Sequence, residues 1–271
     1  MYNRLSEFIS HFHILSDQQF GFRSQHSTDM ALIDFTDKIT NALNNKLCAI
    51  GVFVDLSKAF DTLNHSILLS KLYHYGIRGI PLCWFTDNLS NRFQFTSFKS
   101  CDSSRQHIQH GVPQGSILGP LLFLLYINDL HHSSSLLTFT LFADDTTILY
   151  TNPDLNSLIN TLNSELDLVS SWFKANKLSL NHTKTNFILF SKSIHLHDSD
   201  LPPVKIDSKP ITRKFSVKFL GVVIDHKLSW TEHISTITKI VSRNTGVLSK
   251  LRFFLPLPQW SYFITPLFFL T

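Results

Sequence analysis

The sequence predicts an α+β fold, and three observations carry that reading. The unbroken apolar run from Cys48 to Val54, closed by Asp55, suits a strand buried on both faces. From Asp154 to Lys174, Leu155, Leu158, Ile159, Leu162, Leu166 and Val169 recur at helical spacing and mark a long amphipathic helix. Strands and helices mix without regular βαβ alternation, which argues against a doubly wound parallel sheet.

The elements follow in order. Tyr2 to Phe12 has helical spacing through Leu5, Phe8, Ile9 and Phe12. Ser27 or Thr28 can cap a second helix, with Asp29 in its first turn and an apolar face of Leu32, Ile33, Phe35, Ile39 and Leu43. After the Cys48–Val54 strand, His65 to Tyr75 reads as a helix stopped by Gly76, and Leu82 to Leu89 as another. Phe93 to Phe98 and Arg105 to Gln109 form the two strands of a hairpin. An apolar helix, Ser116 to Leu130, is launched from Gly111-Val-Pro-Gln-Gly115. Two short strands follow, Leu136 to Phe142 and Thr146 to Tyr150, with Asp144-Asp145 between them. Beyond the long helix, Phe187 to Phe190 and Lys218 to Ile224 read as strands, separated by the segment His195 to Pro210. Thr231 to Lys250 closes as a helix.

With 271 residues, 43% of them hydrophobic, the chain can bury one large core or two small ones and is not disordered. A formal charge of +4 permits a polyanionic partner without requiring one. Cys48, Cys83 and Cys101 are widely spaced and form no Cys-x-x-Cys pair, which excludes a disulfide framework and a cysteine zinc site. The start carries no secretory signal pattern, so a non-secreted protein is expected. The apolar tail after Leu251 is interrupted by Arg252, Pro256, Pro258 and Pro266, and reads as truncated amphipathic helices rather than a membrane span. The pairs His11/His13, His131/His132 and His195/His197 lack further ligands at zinc-site spacing.

The chemistry lies in the carboxylates. Asp55 ends a buried strand, and Asp144-Asp145 sit between two others. Taken singly, Asp55 reads first as a helix cap and the doublet as turn residues. Two adjacent acids between apolar strands are more than a turn needs, because neighbouring carboxylates repel unless a cation neutralises them. Hard oxygen ligands of this kind favour Mg²⁺, and three of them on neighbouring strand ends are what a two-metal phosphoryl-transfer site requires.

Motifs around these acids occur in a familiar order. They are Gln19-Phe-Gly-Phe-Arg23 with Ser27-Thr28, Phe53-Val-Asp-Leu-Ser-Lys-Ala-Phe-Asp61, Gly111-Val-Pro-Gln-Gly-Ser-Ile-Leu-Gly-Pro120, Phe142-Ala-Asp-Asp145, Leu178-Ser-Leu-Asn181 with Lys184-Thr185, and Phe219-Leu-Gly221. Together they resemble the successive blocks of the reverse transcriptases of non-LTR (LINE-type) retrotransposons, from Tyr2 to about Leu251. The resemblance implies a right-hand polymerase core with an antiparallel-sheet palm. Its parts would be a fingers remnant (1–46 and 64–114), palm (47–63 and 115–226), a thumb stub from 231 and an apolar tail (252–271). It implies RNA-directed DNA synthesis, with RNA template, DNA primer and dNTPs as partners, no membrane, and a nuclear or cytoplasmic ribonucleoprotein setting.

By the same resemblance, Asp55, Asp144 and Asp145, with the Leu56 carbonyl, would hold two Mg²⁺ ions, or Mn²⁺. Backbone N–H groups at Lys58 and Ala59 would open a helix that cradles the triphosphate. Phe60 matches an aromatic steric gate against a ribose 2′-OH. Gln114 and Gly115 match the pair set against the templating base and incoming nucleotide. Lys184 matches a general acid near the pyrophosphate, with a solvated surface lysine the competing reading. Phe219, Leu220 and Gly221 match a loop supporting the primer end, or else a core strand. Arg23 would contact template phosphate or fold the fingers. The match starts at Tyr2 and ends near Leu251, so fingers and thumb are expected to be incomplete. Two rival readings use the same acids: an inactive remnant that at most binds nucleic acid, and a metal-dependent nuclease, which would leave Phe60 and Gln114 unexplained.

Overall fold

A computed structural model describes residues 1–90, 92–113, 115–192 and 201–251. Helix α1 (Tyr2–His11) and helix α2 (Thr28–Asn44) precede strand β1 (Cys48–Val54). A single 3₁₀ turn (Ala59–Asp61) leads to α3 (His65–His74) and α4 (Ile80–Leu89). Four short strands follow, β2 (Arg92–Gln94), β3 (Ser97–Phe98), β4 (Cys101–Asp102) and β5 (Gln106–Ile108). Helix α5 (Leu118–Ile127) leads to the hairpin β6 (Thr138–Phe142) and β7 (Asp145–Asn152), then α6 (Leu155–Ala175) and β8 (Asn186–Phe190). The remainder is β9 (Lys205–Ile206), β10 (Lys209–Pro210), β11 (Thr212–Arg213), β12 (Ser216–Phe219), β13 (Val222–Asp225) and α7 (Thr231–Leu251).

The chain divides into two compact units, Met1–Arg213 and Lys214–Thr271. In the first, a five-stranded sheet runs β11-β8-β1-β7-β6, with β1 at its centre and antiparallel to both neighbours. Every residue of β1 is buried, as an apolar run with helices on both faces requires. On one face, Ile50, Val52 and Val54 join a core with Leu122, Tyr126, Leu162 and Leu166 from α5 and α6. On the other, α2 sets Phe35 against Phe53, ring centroids 5.7 Å apart, and over the bare backbone of Gly51. Helix α5 is apolar all round because it is buried all round.

Most elements stand where the sequence places them, with local differences. Ser27 is the cap of α2, its Oγ accepting from the Met30 N–H, while Ile33, expected on the buried face, is 58% exposed. The apolar helix stops at Ile127 and gives way to a 3₁₀ turn at Leu130–Ser133. The strand expected over Lys218–Ile224 is a hairpin instead. Leu220 and Gly221 both take positive φ at its tip, the backbone signature of a tight two-residue turn. The second unit holds this hairpin and α7. Residues 193–200 and 252–271 lie outside the described residues, and with them His195, His197 and the apolar tail. Among the described residues no helix is long and apolar enough to cross a membrane.

Candidate active site

Strand register brings the acids together. Val54 of β1 pairs with Thr146 of β7, so one step further the chain sets Asp55 beside Asp145. Phe142 pairs with Asp145 and leaves Ala143-Asp144 as the two-residue turn. The doublet is therefore split: Asp144 is in the turn, and Asp145 is the first residue of β7 rather than a loop residue. Ala143 has φ +55°, while Asp144 is not among the positive-φ residues. That sign pattern belongs to a type II′ turn, whose first position favours glycine, so an alanine there is strained.

Gln19 and Gly21 hold this strained turn. Gln19 is 1% exposed, and its Oε1 accepts from the N–H of Gly21 (2.8 Å) and of Ala143 (3.1 Å). Two backbone donors on one oxygen fix which end of the amide is which. Phe20 N–H donates to the Leu141 carbonyl (2.7 Å), and Leu141 N–H to the Gln18 carbonyl (2.8 Å). Gly21 lies so close that a β-carbon there would stand 2.3 Å from the Ala143 nitrogen.

A second clamp grips Asp55 through its backbone. Its N–H donates to Thr185 Oγ1 (3.3 Å) and its carbonyl accepts from Asn181 N–H (2.9 Å). Ser57 N–H donates to the Ser179 carbonyl (2.9 Å), so the Leu56–Leu180 bridge is of the widely spaced kind. In such a pair the bracketed residue's own carbonyl points away from its partner strand, which leaves that of Leu56 outside the bridge. Lys184 is exposed in the turn between Asn181 and Thr185, one residue from a direct contact to Asp55.

The electrostatics follow from the crowding. The Asp145 carboxyl is pushed above the ordinary carboxylate range, first by desolvation and then by the negative charges of Asp144 and Asp55. Among the described residues no three His, Cys, Asp or Glu side chains form a ready-made metal site. The acid-bearing backbones lie side by side, close enough for the charges of Asp144 and Asp55 to act on Asp145. The donor set, three carboxylates and an unbridged carbonyl, fits a hard divalent cation.

The segment after Asp55 differs from expectation. Lys58 has φ +50° and caps one 3₁₀ turn, Ala59–Asp61; the next α-helix begins only at His65. Lys58 and Ala59 therefore open only this 3₁₀ turn and not the longer helix expected there. Phe60 is half-buried and stacks on Phe123 of α5, ring centroids 4.6 Å apart. Its carbonyl accepts from Val112 N–H (2.9 Å), and the Leu63 carbonyl accepts from Gly111 N–H (2.7 Å), tying Gly111 and Val112 to this turn. Gly111 is obligatory: φ is +83°, and a β-carbon would meet the Asp61 carbonyl oxygen at 2.6 Å. Gly115 is also at positive φ (+77°), in open space, and Gln114 lies outside the described residues.

A family model described as reverse transcriptase (RNA-dependent DNA polymerase) matches residues 1–224. This chain belongs to the reverse transcriptase family. It is 30% identical over 234 residues to the "Probable RNA-directed DNA polymerase from transposon X-element" of Drosophila melanogaster, covering 83% of this chain and 25% of that one. To the RNA-directed DNA polymerase from mobile element jockey of the same fly it is 29% identical, covering 86% and 26%. The chain thus spans about a quarter of the length of these curated relatives. Among solved structures, telomerase from Candida tropicalis in complex with a fragment of telomeric RNA matches with TM-score 0.55 and 12% identity, over 83% of this chain and 36% of that one. The apo form of that telomerase matches with TM-score 0.52 at 11% identity, over 83% and 38%. At such identities the likeness is one of fold, the right-hand polymerase fold.

Within this reverse transcriptase domain, Asp55, Leu56, Asp144, Asp145 and the turn bearing Lys184 are brought together, and the Phe60 turn is tied to Gly111 and Val112, while Gly115 stands in open space. Arg23 folds the loop rather than reaching outward: its guanidinium donates to the carbonyls of Ser16 (2.6 Å) and Gln19 (3.1 Å). Phe219, Leu220 and Gly221 form the hairpin tip of the second unit, with Phe219 buried. Of the histidine pairs, the rings of His131 and His132 lie 3.9 Å apart, tilted by 41°, and His131 Nδ1 faces the Asn128 carbonyl at 2.9 Å. Sequence reasoning gave Gln19 and Gly21 no role. Their signal was present in the Gln19-Phe-Gly-Phe-Arg23 block, where only the charged residue drew attention.

Proposed function

We propose that this domain is the polymerase core of a non-LTR retrotransposon reverse transcriptase, adding deoxynucleotides to a primer 3′-OH on an RNA template. One observation carries the reading: the β1–β7 register sets Asp55 beside Asp145, with Asp144 in the adjoining turn, as a group of acids whose charges act on one another. Asp55, Asp144, Asp145 and the Leu56 carbonyl would hold two Mg²⁺ ions, with Mn²⁺ as a substitute. Bound there, the metal supplies charge neutralisation and a lowered pKa for a coordinated hydroxyl.

The chain's own residues do the rest. The Gln19 clamp and the Thr185–Asn181 clamp fix the two acid-bearing backbones, so the site pays little reorganisation when substrate arrives. Phe60, held by its stack on Phe123, offers a fixed ring edge against a ribose 2′-OH. Backbone N–H groups at Lys58 and Ala59 and the Lys58 ammonium would meet the triphosphate. Gln114 and Gly115 would face the nascent base pair, where an unsubstituted Gly115 lets the strand approach. Lys184 would give a proton to the leaving pyrophosphate, and the Phe219-Leu220-Gly221 tip would support the primer end. A nuclear or ribonucleoprotein setting goes with this reading.

Primer extension on an RNA template with Mg²⁺ or Mn²⁺ tests it. Incorporation that Asp144→Asn abolishes is the expected result. Template binding without incorporation would mark an inert relative, and strand scission without added nucleotides a nuclease.

A further inference from the structure

One face of α5 lies behind the Phe60 turn. Gly119 and Phe123 stand four residues apart on that helix and so share a face. Phe123 is fully buried, and the half-buried Phe60 ring lies on it with an angle of 30° between the two planes. The backbone of Phe60 is fixed by other contacts. The N–H groups of Asp61 and Thr62 close its turn onto the Lys58 carbonyl (2.9 and 3.1 Å), and its own carbonyl is held by Val112. Val112 is buried and in turn lies against Gly119, where an added β-carbon would meet Val112 Cγ2 at 3.5 Å. With the backbone anchored, what the turn leaves open is rotation of the Phe60 ring about its side-chain bonds. The stack on Phe123 decides that rotation.

We propose that Phe123 is a positioning residue for sugar selection. By filling the space beneath Phe60 it keeps that ring raised, so choice of deoxynucleotides depends on the side chain at 123 as well as on the ring at 60. The inference rests on the reading of Phe60 as the sugar gate and extends it to a residue that, fully buried, cannot itself touch a nucleotide. A 2′-OH pressing on the Phe60 ring is rejected only if the ring has nowhere to go. Interiors are close-packed, so a ring backed by another ring cannot yield without forcing a core residue aside. A shorter aliphatic chain at 123 leaves a void into which the Phe60 ring can sink, and the ribose then fits. Neither Phe60 nor the acids change, so reaction with a dNTP is left close to what it was.

The test is primer extension by the full chain on an RNA template, with a dNTP or the matching rNTP, read as the ratio of their kcat/KM values. Phe123→Leu should lower that ratio roughly 2- to 12-fold, what an aromatic stack contributes, by improving the rNTP while the dNTP constants stay near wild type. In a Phe60→Ala background the same substitution should leave the ratio where Phe60→Ala alone puts it, because the supported ring is gone. Leu125→Ala empties an equally buried position on the opposite side of α5, and should lower Tm without moving the ratio. Unfolding in denaturant gives a readout free of turnover: the losses from Phe60→Ala and Phe123→Leu should fall short of additive by roughly 2- to 12-fold in the unfolding constant. Phe123→Met, a milder change, should give the same signs should the leucine variant not fold.

An unchanged ratio in Phe123→Leu beside a lowered one in Phe60→Ala would overturn the proposal and leave the gate standing. So would an equal fall in Leu125→Ala, or an undiminished effect of Phe123→Leu in the Phe60→Ala background. A ratio that Phe60→Ala does not move would remove the gate, and a wild type that incorporates nothing would refute the polymerase reading; the inference falls with either.

Discussion

Replacing Gly21 with alanine puts the support of the Ala143–Asp144 turn under direct strain. The added β-carbon would lie 2.3 Å from the Ala143 nitrogen, 2.9 Å from the Phe142 carbonyl carbon and 3.1 Å from the Ala143 Cα. Ordinary contact between such atoms is about 3.5–4.0 Å, so one backbone must retreat by about an ångström. Neither is free to do so. The Gln19 side chain binds both Gly21 and Ala143, and the Phe20–Leu141 and Leu141–Gln18 hydrogen bonds lock the flanks. Overpacking costs about 2 kcal/mol, the middle of its usual range, and losing one buried hydrogen bond adds about 1–3 kcal/mol. A total of about 3–5 kcal/mol corresponds to a fall in Tm of about 6–20 °C for a unit of this size. Calorimetry measures the melt, and amide hydrogen exchange at Ala143 and Asp144 should report faster opening. Gly246→Ala is the control of opposite sign: it lies within α7 with nothing within 4 Å of the new atom, and should gain about 0.5–1 kcal/mol. A Gly21→Ala melt within 2 °C of wild type, with Ala143 exchange unchanged, would refute the packing argument (about one-third of the smallest shift expected).

Other substitutions probe the same site. Asp145 binds its proton more tightly folded than unfolded, so stability is greatest below the ordinary carboxylate range and falls as pH rises through the raised folded value. Asp145→Asn should therefore raise Tm at neutral pH in EDTA, while Mg²⁺ should stabilise the wild type more than the variant; a lower Tm for the variant in EDTA would contradict this. Gln19→Met keeps the shape but removes the acceptor shared by Gly21 and Ala143, and should cost about 2–4 kcal/mol in a denaturant titration. An unchanged midpoint would show that the two donors find other partners. Phe60→Ala removes a half-buried ring from its stack on Phe123 and should cost about 1–3 kcal/mol, less than a fully buried ring. If the ring is the sugar gate, discrimination between dNTP and rNTP in kcat/KM should also fall by about an order of magnitude or more, and unaltered discrimination would remove that role.

Much of the architecture was legible because burial writes a period into the sequence. The Cys48–Val54 run, the Leu155–Val169 stripe and the cap at Ser27 each depend on residues within a few positions of one another, and each stands where that pattern puts it. Misreadings fell where the deciding contact is distant or the backbone breaks its period. Lys218–Ile224 looks like one strand because its turn is made by Leu220 and Gly221 at positive φ, which an apolar run conceals. The helix expected at Lys58 reduces to a 3₁₀ turn, and the carbonyls of Phe60 and Leu63 accept instead from the N–H groups of Val112 and Gly111.

The acids themselves, their separation into Asp55 and the Asp144-Asp145 doublet, and the order of the surrounding motifs are properties of the chain read in one dimension. What tertiary structure alone decided is that β1 pairs with β7 in the register that sets Asp55 beside Asp145, that the doublet is divided between turn and strand, and that a buried glutamine and a glycine brace the turn from behind. The reason is that local periodicity reports which face of an element is buried. Which distant element covers that face, and at what register, is set by packing and hydrogen bonds among residues far apart in sequence.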